Sequence, residues 1–75
     1  MNIKIFGQLN DITGTNSVTL EDVADTDILI QQLQLKYPAL LNAKFAVAVN
    51  KQVIQHTTAL HQDAEVALLP PFSGG

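Results

Sequence analysis

The chain has 75 residues, 47% of them hydrophobic and 15% charged, and carries a formal net charge of −3. A chain of this length is one domain of marginal stability, and its aliphatic content excludes intrinsic disorder. Its four scattered lysines (Lys4, Lys36, Lys44 and Lys51), with no arginine, exclude the basic patch of a nucleic-acid binder, and the lack of cysteine excludes disulfide staples, thiolate catalysis and cysteine-based zinc sites.

In chain order, Ile3, Ile5 and Leu9 alternate with Lys4, Phe6 and Gln8, and Gly7 continues the inward series. This period of two predicts a half-buried strand with Phe6 on its outer face. Residues 10–16 hold Asp, Thr, Gly and Asn, the chemistry of a turn. Residues 17–21 alternate again, with Val18 and Leu20 on one face, so the two strands are expected to form a hairpin. Asp22, Asp25 and Asp27 mark the entrance of a helix predicted over residues 26–37. Asp25 or Thr26 caps it, and the acidic entrance suits the helix dipole. Leu29, Ile30, Leu33 and Tyr37 form its apolar stripe, with Leu35 at the margin. Pro38 stops it. Residues 45–49 read as a strand with Phe45, Val47 and Val49 on one face and Ala46 and Ala48 on the other. Asn50-Lys51 reads as a tight turn into a short return strand over residues 52–54. Residues 55–63 form a polar connection anchored by Leu60. Residues 65–69 are the last strand, which Pro70 and Pro71 end because neither can donate to a ladder. One sheet against one helix is a two-layer α+β domain.

The expected radius of gyration is roughly 11 Å. Hollowing out the roughly 300–1,000 Å³ of a usual small-molecule pocket would empty so small a core. Chemistry is therefore expected on the surface, at a terminus, or in a site that a partner completes. The longest apolar runs, such as residues 45–49, fall far short of the roughly 20 residues that span a bilayer. Residues 1–4 lack the start of a secretory leader. The expectation is a soluble cytoplasmic protein with no membrane and no nucleic-acid partner.

The unusual feature is the ending, Pro70-Pro71-Phe72-Ser73-Gly74-Gly75. The prolines favour an extended path away from the sheet. Gly74 and Gly75 have no Cβ, so the backbone can thread where no side chain fits. A body over residues 1–69 and a tail over residues 70–75 follow. The group offered at the tip is the Gly75 carboxylate, a poor acyl donor that must be activated before it can react.

The order of elements, the Val49-Asn50 strand end, Tyr37-Pro38-Ala39-Leu40, Glu65-Val66-Ala67-Leu68-Leu69-Pro70-Pro71 and the terminal Ser73-Gly74-Gly75 together resemble the MoaD/ThiS sulfur-carrier family. The likeness covers the whole chain and is greatest to the MoaD branch, the small subunits of molybdopterin synthase. A departure is Gln62-Asp63-Ala64, where the family usually has an Asp-Gly-Asp turn. The resemblance implies a ubiquitin-like β-grasp fold, with a mixed sheet of four to five strands on one main helix. It implies that a MoeB-like enzyme adenylates Gly75 with ATP, and that a sulfur donor protein converts the adenylate to a thiocarboxylate. The tail, with Gly74 and Gly75 at its reactive end, then enters a MoaE-like large subunit and gives its sulfur to precursor Z. The carrier itself holds no cofactor; ATP belongs to the activating partner.

An outer apolar face beside the tail would suit such partners, and Phe6, Leu69, Pro70, Pro71, Phe72 and Ser73 are the candidate contact residues. His56 and His61, with Asp63, match no ligand spacing, so no metal is expected. Ser73 has no base near it in sequence and reads as a spacer. Four readings stand: a molybdopterin carrier, a carrier for thiamine or another sulfur metabolite, a ubiquitin-like binding module with an inert tail, and a tag joined to lysines through Gly75. Within the resemblance, Pro70-Pro71 favours the first over the second.

Overall fold

The computed structural model describes residues 1–21 and 23–71. The expectations about Asp22 and about Phe72, Ser73, Gly74 and Gly75 therefore lie outside the described residues. The elements are β1 (Asn2–Ile5), α1 (Leu9–Thr13), β2 (Ser17–Thr19), α2 (Thr26–Lys36), a 3₁₀ turn (Pro38–Asn42), β3 (Ala46–Val49), β4 (Gln52–Val53) and β5 (Val66–Leu69). The strands form one sheet in the order β2-β1-β5-β3-β4. β1 runs parallel to β5 at its centre, and the other neighbours are antiparallel. This is the α+β, β-grasp arrangement, with a Cα radius of gyration of 11.4 Å, close to that expected from length.

Alternation places the core. Ile3, Ile5, Val18, Val47, Val49, Val66 and Leu68 point inward and join Leu29 and Leu33 of α2 in one buried cluster, with Leu9, Val23, Leu40 and Leu60 around it. The predicted cap is Asp25, whose carboxylate accepts from the Ile28 N–H at 3.0 Å. This satisfies one of the free donors of the first turn. The helix ends at Lys36, one residue before the predicted limit, and Pro38 opens the 3₁₀ turn that buries Leu40. At the predicted tight turn, Asn50 and Lys51 have φ of 51° and 70°. Two positive values are the primed-turn geometry that matches strand twist. Asn50 also clasps the start of the last strand, its Oδ1 accepting from the Glu65 N–H at 3.0 Å while its own N–H donates to the Glu65 carbonyl at 2.8 Å.

The structure corrects three expectations. Gly7 does not continue the inward series. It is exposed, with φ +61°, and turns the chain out of β1. Residues 10–16 are not all turn, because α1 occupies most of them and buries Leu9 and Thr13. Its end is set by Gly14, with φ +73° and an N–H donating to the Asn10 carbonyl at 2.7 Å. A left-handed glycine just past the last turn is the usual way to satisfy such a carbonyl. Leu35 is not marginal but 82% exposed.

Two outcomes follow for stability in urea. Asp25→Ala is expected to lower unfolding free energy by about 1 kcal/mol, with Asp25→Asn retaining most of it. Leu29→Ala is expected to cost about 2–5 kcal/mol, against less than about 0.5 kcal/mol for Leu35→Ala. Equal losses at Leu29 and Leu35 would contradict the helix orientation.

Candidate functional site

The outer face of the sheet, opposite α2, carries two of the predicted partner residues, Phe6 and Leu69. Strand register lines up Lys4 with Ala67, Ala67 with Ala48, and Ala48 with Val53, while Ala46 stands opposite Leu69. Longer side chains flank short ones, so the face is dished. The hollow encloses about 580 Å³, floored by Ala48 and Ala67 and rimmed by Met1, Lys4, Phe6, Val53 and Leu69. Lys51, Asp63 and Glu65 add charge of both signs to its edge. A hollow of this size was not expected from chain length. It is possible because it lies outside the sheet and removes nothing from the core.

Phe6 is 45% exposed, and Leu69 is half-buried beside it on the same face. A half-exposed phenyl ring facing water loses the gain that burial would bring, and a partner can recover it. Phe6 lies one residue beyond β1, and its N–H donates to the Leu68 carbonyl at 3.0 Å. That bond extends the parallel pairing to the base of the tail. Pro70 follows, half-buried, and Pro71 is exposed. Proline has no N–H, so no further ladder bond can be donated from β5 beyond Leu69. Thus Phe6, Leu69 and Pro70 come together, and the tail departs from the rim of the hollow. Phe72 to Gly75 lie outside the described residues.

The sequence had put Ala46 and Ala48 on one face of their strand; that Ala48 and Ala67 stand side by side as the floor of a dish needed the register across the strands. Lys4 and Val53 were likewise missed as rim residues; their outward phase was the available signal. His56 and His61 are exposed. Among the described residues, no group of three or more His, Asp and Glu side chains could hold a metal ion. Among the same residues, no helix is long and apolar enough to cross a membrane.

Comparison with known proteins agrees with this architecture. The model of the ThiS family matches residues 3–75. The chain is 35% identical to the molybdopterin synthase sulfur carrier subunit of Chlamydomonas reinhardtii, with 100% of each chain covered. It is 32% identical to the protein of the same name from Mycobacterium tuberculosis, covering 100% of this chain and 96% of that one. Among solved structures, the small archaeal modifier protein 1 of Methanosarcina acetivorans superposes with a TM-score of 0.80 at 26% identity, covering 99% of this chain and 94% of that one. Subunits 1 and 2 of the molybdopterin-converting factor of Helicobacter pylori, solved as a complex, include a chain that matches with a TM-score of 0.66 at 22% identity, over 99% and 96% of the two chains. With a family model that spans nearly the whole chain and relatives that align from end to end, the chain belongs to the ThiS family.

Proposed function

We propose that the chain is the sulfur carrier subunit of a molybdopterin synthase. The observation that carries this reading is end-to-end likeness to curated proteins of that name, at 35% and 32% identity, together with a family match that runs through Gly75. The chemistry proposed is as follows. The Gly75 carboxylate attacks the α-phosphorus of ATP held by a MoeB-like partner, and pyrophosphate leaves. Sulfur at the sulfide level from a donor protein then attacks the carbonyl carbon. A C–S bond forms, the C–O bond to AMP breaks, and a thiocarboxylate results. Splitting the exchange into two displacements replaces one difficult step with two easier ones. A MoaE-like large subunit receives the tail, and the sulfur passes to precursor Z.

In this scheme the dished outer face is the handle by which partners grip the carrier, with Phe6 and Leu69 beside the base of the tail. Pro70, Pro71, Phe72 and Ser73 add partner contacts along it, and Gly74 and Gly75 thread the partner's pocket. The H. pylori protein, solved as a complex of two subunits, supports a large-subunit partner for this chain. A second reading has a specific observation in its favour. The M. acetivorans neighbour is a small archaeal modifier protein, so a tail joined to lysine amines is the runner-up.

Incubation with a MoeB-like enzyme, ATP and a sulfur source, read by intact-mass spectrometry, decides between them. Replacement of one oxygen by sulfur at Gly75 is the expected result. An unchanged mass with a competent enzyme rejects the carrier reading, and conjugates to other proteins favour the modifier. Deletion of Gly75 is expected to abolish transfer while leaving the thermal melt nearly unchanged, since chain ends contribute little packing. Phe6→Ser is expected to raise the KM of the activating enzyme for the carrier by about tenfold, the size of one modest interface anchor. Its urea midpoint should hardly move, and a large loss of stability without a change in KM would place Phe6 in the core.

A further inference from the structure

We propose that Gly7 is a positioning residue that aims the tail by providing a seat for the Pro70 ring; its functional readout rests on the carrier reading above, its geometry does not. Gly7 and Gly14 both have left-handed φ values, +61° and +73°. They differ in what surrounds them. A Cβ added at Gly14 would meet nothing within 4 Å. A Cβ added at Gly7 would stand 2.8 Å from Pro70 Cγ and 3.3 Å from Cδ. Carbon atoms pack best at about 3.5–4.0 Å, so the first distance is a collision. Gly14 is there for its backbone alone, whereas Gly7 also makes room.

Neither side of this contact can give way freely. The Gly7 carbonyl accepts from the Asn10 N–H at 3.1 Å and so starts α1. Just before it, the Phe6 N–H holds the Leu68 carbonyl at 3.0 Å. Leu69 is in register with Ala46 of β3. Pro70 has its own φ locked near −65° by the ring. The peptide bond into Pro70 is planar, so the torsion able to give is ψ of Leu69, about its Cα–C bond, and it sets the direction in which the chain leaves the sheet. A change of that torsion turns the Pro70 ring and the path of Pro71, whose own φ is likewise fixed by its ring. Reacting groups misplaced by about 1 Å can lose on the order of a hundredfold in rate. A missing side chain in the first loop thereby sets the direction in which Pro70 leaves the sheet.

The test compares Gly7→Ala, Gly14→Ala, Pro70→Ala and the Gly7→Ala/Pro70→Ala double variant. Pro70→Ala keeps only the Cβ, which would lie 3.6 Å from the new methyl, an ordinary contact. Release of pyrophosphate by the activating enzyme, with ATP and a sulfur source present so that it turns over, gives kcat and KM for each carrier, and thermal melts give stability. The two glycine variants are expected to melt at similarly lowered temperatures. Only Gly7→Ala should lose kcat, by at least about tenfold, and adding Pro70→Ala should restore it to within about threefold of Pro70→Ala alone. Equal kcat for the two glycine variants, or no recovery in the double variant, overturns the proposal. Failure of the unaltered protein to be activated rejects the carrier reading instead. The seat is then judged by NMR residual dipolar couplings at the Cα–Hα bonds of Pro70 and Pro71. A change confined to Gly7→Ala upholds it, and unchanged couplings overturn it. If Gly7→Ala does not fold, a folded double variant upholds the collision and an unfolded one refutes it.

Discussion

The parallel pairing of β1 with β5 is the constraint on which the rest of the molecule depends. It places Ile3 beside Val66 and Ile5 beside Leu68, four side chains that are at most 2% exposed. Parallel neighbours cannot be joined by a tight turn, so the chain between them must leave the sheet and return. Here that excursion contains the three other strands, β2, β3 and β4, and α2, whose Leu29 and Leu33 close over the central strands. The same pairing ends where Phe6 meets Leu68, which brings the first loop and the base of the tail to one point. Core, crossover and tail exit are three results of one register.

A domain this small, without disulfides, must secure its long connection by other means. The segment between β4 and β5 is tied to the entrance of α2. Thr26 makes two bonds with Thr58, its backbone N–H donating to the Thr58 carbonyl at 3.0 Å and its side-chain Oγ1 accepting from the Thr58 N–H at 2.9 Å. The Thr57 hydroxyl donates to Asp27 at 2.6 Å, and the Leu60 N–H donates to the Ala24 carbonyl at 2.9 Å. The acidic helix entrance therefore has two physical duties: it caps its own first turn through Asp25 and it receives the loop through Thr26 and Asp27. Buried polar groups that find partners in this way avoid the desolvation cost they would otherwise carry.

Most of the architecture was legible because alternation and capping are local signals. Val18, Val47, Val49, Val66 and Leu68 follow a period of two, and Asp25, Pro38 and Asn50-Lys51 act within a few residues of themselves. What escaped was decided at a distance. Gly7 fits the inward phase of β1 by spacing, yet it faces Pro70, a residue 63 positions later (70 − 7). The α1 helix hides in turn-like residues because Leu9 and Thr13 gain burial that local propensity does not record. Leu35, read as marginal, is exposed because the seam of α2 against the sheet is narrow. At the site, Phe6 and Leu69 were visible from their phase, while the dish between them required knowing which alanines stand side by side. The chemistry proposed at Gly75 rests on family resemblance, since a Gly-Gly ending by itself also fits a frayed terminus.

The alanine floor has a consequence for how such a protein can change over time. Along each strand, adjacent positions answer to different demands: inward residues to the packing of α2, outward ones to whatever grips the sheet. Enlarging or shrinking Ala67 reshapes the dish rather than the core, because the pleat sends its side chain to the outer face. Recognition and foldability are thus written in alternate letters of the same strands. A carrier built this way can drift toward a new partner one outward residue at a time, while the body that presents its tail stays as it was.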